Sequence, residues 1–141
     1  MKPFLATLAA ATLAAVPLAT ASAGDAAPAG LIASEWHNPS NSVHVRIDRC
    51  GATQLCGTVT WASAKAQADA RRGGTANLIG TRLFQGMEPA GAGKWRGKVF
   101  VPDIRRTFSG TVAFNGTDKM VGKGCVLFGA ICKSQTWSRI H

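Results

Sequence analysis

Carboxylates are scarce in this chain of 141 residues: seven Asp and Glu stand against 16 Lys and Arg. No two of the seven have a spacing that signals general acid–base work, and the histidines His37, His44 and His141 lie in no recognisable motif. Also missing are a redox-type Cys-x-x-Cys pair, a Gly-Lys-Ser/Thr phosphate loop (Gly91-Ala92-Gly93 is a lone turn) and any Gly-x-Y period. No nucleophile, base and orienting group are grouped together, so catalysis is not the expected function, and neither a cofactor nor a metal is expected. The length is too small for a (β/α)₈ scaffold of about 250 residues or for two sizeable domains. A hydrophobic content of 46% is too high for a disordered tail. One small domain remains.

The N-terminus has the pattern of an export signal. Lys2 provides a positive start, Phe4 to Val16 is an apolar run, and Ala21-Ser22-Ala23 is the small-x-small site that a signal peptidase accepts. Cleavage is expected after Ala23, giving a signal peptide over residues 1–23 and a single mature domain over 24–141. The competing reading is a membrane anchor. Its apolar core is shorter than the roughly 20 residues that span a bilayer, and Pro17 interrupts it. No Cys follows the cleavage site to carry lipid, and no later segment is long and apolar enough to span, so the mature chain is expected to be periplasmic or secreted. A net charge of +9 would otherwise suggest nucleic acid. Export points instead to anionic envelope lipid or acidic ligands. Only Arg71-Arg72 and Arg105-Arg106 are adjacent, so a scattered solubilising charge is favoured over a dedicated anion site.

Four cysteines, Cys50, Cys56, Cys125 and Cys132, allow three pairings, and an even number in an oxidising compartment reads as a disulfide framework. Each sequential pair flanks a Gly-containing loop, so Cys50–Cys56 and Cys125–Cys132 are favoured as hairpin staples. A four-thiolate zinc site is the weaker alternative, because structural zinc motifs place two to four residues between paired cysteines.

Short stretches of period-two alternation separated by Gly, Asn and Pro clusters mark an all-β chain. Leu31 to Trp36 is a candidate first strand. Val43, Val45 and Ile47 alternate with His44, Arg46 and Asp48, and Gly57 to Trp61 places Val59 and Trp61 on one face. Ala62 to Thr75 breaks the pattern as a short helix ended by Gly73-Gly74. Further strands are expected over Asn77 to Phe84, Trp95 to Val101, Thr107 to Phe114, Lys119 to Cys125 and Ser134 to Ile140. Eight to ten strands joined by short turns favour a small antiparallel meander β-barrel over a two-sheet sandwich, because closure removes exposed edges. Such a barrel encloses either a ligand cavity or a filled interior.

Particular motifs resemble a known family. They are a Trp-ended first strand, Cys50-Gly51 … Leu55-Cys56-Gly57, Gly97-Lys98-Val99-Phe100-Val101-Pro102-Asp103, and Gly124-Cys125-Val126-Leu127 leading to Ile131-Cys132-Lys133-Ser134-Gln135-Thr136-Trp137-Ser138-Arg139. Together they look like the bacterial exported family called domain of unknown function 2147 (DUF2147), over nearly the whole mature chain. The resemblance implies a lipocalin-like or calycin-like barrel without established enzymatic activity. Calycins pack a first-strand Trp under a last-strand Arg. Trp36 and Arg139 are the matching positions, which implies a structural stack. Calycins often show Gly-x-Trp, whereas Gly30 here lies six residues before Trp36.

The aromatics divide between core and cavity. Trp36 and Trp137 are expected in the core. Trp61 and Trp95, near strand ends, together with Phe84 and Phe100, are the candidates for lining a ligand cavity. Gln135 and Arg139 share the strand face of Trp137, which places a polar group where a ligand carboxylate could meet it. His44 is exposed if Val43, Val45 and Ile47 face inward, and lines the cavity with Arg46 if they do not. The expected function is non-enzymatic binding of a small apolar or amphipathic molecule. The alternative is an envelope interaction protein that offers a basic surface to anionic lipid or to a protein partner. Peptide mapping under non-reducing conditions should recover Cys50 joined to Cys56 and Cys125 to Cys132, and a Cys50–Cys125 peptide would contradict the hairpin assignment.

Overall fold

The computed structural model describes residues 30–141. The expected export signal, residues 1–23, lies outside the described residues. Eight antiparallel strands follow one another in space as in sequence and close on themselves. They are β1 (Ser34–His37), β2 (Val43–Arg49), β3 (Leu55–Ala62), β4 (Arg82–Pro89), β5 (Lys94–Val101), β6 (Arg106–Asn115), β7 (Lys119–Val126) and β8 (Ile131–Ile140). The one α-helix among the described residues, α1 (Ala64–Arg72), is inserted between β3 and β4. No helix among the described residues is long and apolar enough to cross a membrane.

Alternation produces the closure. Val45 and Ile47 are buried while Arg46 is exposed, and on β6 Gly110 and Val112 are buried between exposed Ser109 and half-buried Thr111. The helix forms where the alternation stops. Ser63 caps its N-terminus by accepting a 3.1 Å hydrogen bond from the Ala66 amide, and Ala70 is its fully buried contact with the core. Gly73 ends it and lies directly against the Asp103 carbonyl, where any side chain would collide. The first strand starts later than alternation suggests. Gly30 and Ala33 take left-handed conformations, and Ser34 Oγ donates to the Leu31 carbonyl at 2.5 Å, so Leu31 to Ala33 form a turn. The segment before β4 is likewise a turn to Thr81, with Leu78 buried in it.

The connections β2–β3, β4–β5 and β6–β7, together with the start of β1 and the end of β8, gather at one end of the barrel, which is closed. Trp36, Val45, Ile47, Val59, Met87 and Met120 there are at most 2% exposed. Trp36 sits against Phe114 with ring centroids 5.7 Å apart, and its Nε1 donates to Ser34 Oγ at 2.8 Å. Arg139 pairs with Trp36 across β1 and β8, and its guanidinium carbon is 5.8 Å from the indole centroid. Its Nη2 donates to the Gly30 carbonyl at 2.5 Å and its Nη1 to that of Thr117 at 3.3 Å. Arg139 thereby ties the start of the domain, the β6–β7 turn and the last strand together.

Both favoured cysteine pairs are disulfides: Cys50–Cys56 closes the β2–β3 turn, and Cys125–Cys132 joins β7 to β8. Two disulfides fit an oxidising compartment. Trp36→Ala should lower stability by about 3–5 kcal/mol in urea unfolding, the usual cost of a core Trp truncation. Arg139→Lys should unfold at lower denaturant than the wild type, because an ammonium cannot donate to two separated carbonyls while stacking on the indole. Recovery of full stability by lysine would contradict the assigned role.

Candidate functional site

The interior is divided by one ring. Phe84 enters from β4 and lies over Gly57 of β3 and Gly122 of β7, where an added Cβ would come within 2.5 Å and 3.0 Å of ring carbons. Trp137 meets Phe84 edge-on at 5.8 Å between centroids. Below this pair the barrel is filled, leaving an interstice of about 10 Å³ among side chains such as Ile47, Leu55, Met87 and Trp95. Above it opens a cavity of about 1040 Å³, at the upper end of the usual range for small-molecule sites. Leu83, Phe84, Val99, Phe100, Phe108 and Trp137 supply its apolar wall. At Gly124 the missing side chain is cavity space: a Cβ there would find no atom nearer than 4.0 Å.

The mouth lies at the opposite end from the Trp36–Arg139 stack. α1 is fastened to both sides of it. The Ser63 amide donates to the Ser42 carbonyl of the β1–β2 turn at 2.9 Å, and past the helix Thr75 Oγ1 donates to the Pro102 carbonyl of the β5–β6 turn at 2.9 Å. Those two turns face each other across an eight-stranded barrel, so the helix bridges the mouth. It leaves an opening toward β7 and β8. This opening extends down the side, because β1 pairs only with Ser138–Ile140 of β8, and among the described residues no strand flanks Ile131–Trp137 there. The lips of the slit are polar. Asn38, Ser40 and Ser42 lie on one side, Lys133 and Gln135 on the other, and all line the cavity. The Asn38 carboxamide holds its turn rigid by accepting from the Ser42 and Val43 amides at 2.7 and 3.0 Å.

Charge is confined to this mouth. Lys65, Asp69, Asp103 and Lys133 are the ionisable groups on the cavity wall. Asp69 pairs with Lys65 at 2.7 Å and with Arg72. The Lys65 hydrogen bond holds the Asp69 carboxyl below its ordinary value; desolvation opposes it, and the charges of Lys65 and Arg72 add to the lowering. Lys133 has no ion pair among the described residues.

Phe84 and Phe100 line the cavity as the sequence suggests, and Trp137 joins them while also packing into the core. Trp61 does not. It is 45% exposed on the outer face, 4.6 Å between centroids from His44. The reason is a β-bulge: His44 pairs with Trp61 but Val45 with Val59, so Thr60 is an extra residue that inverts the alternation and turns Ala62 inward instead. Trp95 is buried, but at the closed end, where β5 begins. Of the two polar groups on the Trp137 face, Gln135 reaches the cavity and Arg139 is used in closing the barrel. His44 is on the outside with Arg46, its ring nitrogen 2.7 Å from Asn41 Oδ1. Burial against Trp61 lowers the His44 pKa, the neighbouring His37 pushes the same way, and Glu35 opposes them, so the neutral imidazole is favoured. Lys133 is absent from the sequence-based candidates. The signal was the alternation of Gln135, Trp137 and Arg139, which reaches Lys133 two residues further up a strand that starts at Ile131 rather than Ser134.

No curated protein and no solved structure matches the chain. A family described as an uncharacterized protein conserved in bacteria, DUF2147, matches residues 34–139, a span that begins with β1 and ends on the Arg139 that closes the barrel. The matched residues contain the whole wall and mouth of the cavity, and the chain belongs to the DUF2147 family.

Proposed function

We propose that this protein is a non-enzymatic container for a small amphipathic molecule, acting in the periplasm or outside the cell. The observation that carries the reading is the cavity of about 1040 Å³, with an aromatic and aliphatic floor and polar groups restricted to its lips. An apolar tail laid on Phe84, Phe100 and Phe108 would leave water at about 25 cal/mol per Å² buried. A polar head would stay at the slit, within the reach of Lys133 and Gln135. Binding without chemistry is supported by the separation of ionisable groups from the apolar floor, where a bound tail would rest. Export is supported by the pattern of residues 1–23 and by the two disulfides.

Titration with cis-parinaric acid, followed by energy transfer from Trp137, should saturate at one molecule per chain, and oleate should displace the probe. Gly124→Leu places a side chain in the cavity over the Phe84 floor, where its Cβ meets no atom nearer than 4.0 Å, and removes room for roughly three methylenes at about 0.8 kcal/mol each. It should weaken the probe by more than ten-fold with thermal stability unchanged. Lys133→Gln should weaken oleate while leaving the corresponding alcohol unaffected. An unsaturable response, or equal binding to Gly124→Leu, would contradict the container.

A further inference from the structure

The mouth carries apolar side chains that no described residue covers. Phe128 is fully exposed, Leu127 is 66% exposed, and Ile104 and Ile131 are each more than half exposed. They sit on the β5–β6 and β7–β8 turns, neighbours at the same end because β6 and β7 are paired. Leu127 and Phe128 are both held with φ above +50°, a conformation that bulky residues rarely adopt, in the 3₁₀ turn Leu127–Gly129. The turn therefore presents two large apolar side chains to solvent at a backbone position where Asn or Gly would be less strained.

Cations surround them. Arg105 and Arg106 follow Ile104, and Lys133 follows Ile131 by two residues. None of the three has an ion pair among the described residues. One adjacent basic pair of the sequence, Arg105-Arg106, is thus placed directly beside the exposed apolar turn. The other, Arg71-Arg72, ends α1 on the same rim, where Gly74 abuts the Arg105 side chain. Apolar side chains flanked by cations match an anionic bilayer: the former enter the headgroup layer and the latter meet phosphates. An uncharged protein groove would satisfy only the first of these.

We propose that the β5–β6 and β7–β8 turns are a membrane-docking surface, on which Leu127 and Phe128 enter the headgroup region of an anionic bilayer while Arg105, Arg106 and Lys133 contact its phosphates, so that the slit opens onto lipid. The proposal deepens the container reading by naming where the cargo is exchanged, and rests on that reading for its purpose. The docking itself is observable with the cavity empty.

Flotation of the purified mature protein with phosphatidylglycerol vesicles tests it. The wild type should float with anionic vesicles at low salt, bind at least ten-fold more weakly to phosphatidylcholine vesicles, and detach as salt rises. Leu127→Asn/Phe128→Asn keeps a residue type that accepts left-handed backbone, and should bind at least ten-fold more weakly. Arg105→Asn/Arg106→Gln should lose about 25-fold at low salt, from roughly five-fold per charge at an anionic surface. A Phe128→Trp reporter should shift its emission to the blue on anionic vesicles. All of these variants should bind cis-parinaric acid as the wild type does. Wild-type protein that stays out of the vesicle fraction, asparagine variants that float as well as the wild type, or a Phe128-dependent dimer without vesicle binding each overturn the proposal. Loss of the fatty-acid probe with vesicle binding intact strikes the container reading alone.

Discussion

The seating of Phe84 between Gly57 and Gly122 governs what this barrel can do. A closed eight-stranded meander either fills its interior with its own side chains or leaves room for one small ligand. Here side chains are missing at two levels, with opposite results. At Gly57 and Gly122 the vacant volume is taken up by one phenyl ring, which Trp137 steadies from the side. At Gly124, one inward position further up β7, nothing moves in, and the space stays open. The ring is therefore a floor, and packing below it is dense enough to leave about 10 Å³. Stability and binding capacity are thus held in separate halves of one sheet. Removing apolar surface at the closed end costs folding energy, whereas filling the open end costs only volume for cargo.

The closed half also fixes the geometry of the open one. Arg139 ties the Gly30 and Thr117 carbonyls to the last strand over the Trp36 indole, and β1 is short because it turns at Asn38. A longer first strand would pair with the upper part of β8 and seal the wall. As built, β1 covers β8 only from Ser138 to Ile140, and the remaining flank becomes the slit with Lys133 and Gln135 on its lip. The stack that the calycin resemblance implied is thus connected to the opening through strand length.

Much of this could be read from the sequence, and the failures have identifiable causes. Alternation marked Val43, Val45 and Ile47 as one strand face, because side chains on a pleated strand point to opposite faces, and the structure turns Val45 and Ile47 of that face inward. Cysteine spacing gave both disulfides, and the break in alternation gave the helix. Trp61 was misplaced by a single bulged residue, Thr60, which period-two reasoning cannot detect from one strand alone. Trp95 was misplaced for a different reason. Its strand end was correctly located, but nothing local states which end of a barrel is open. That depends on where the helix lands and where β1 stops, both of them long-range properties. Leu31 to Ala33 were read as part of the first strand, but the structure buries Leu31 through a turn.

The central claim is that the interior is filled on one side of Phe84 and empty on the other. A crystal structure of the mature protein grown with a fatty acid brominated near the tail end tests it most directly, because the bromine is located by anomalous scattering. The account predicts a peak inside the barrel beside Gly124 and above the Phe84 ring, with the carboxylate toward Lys133. Bromine found only on the outer surface, or side chains occupying the space over Phe84, would contradict it.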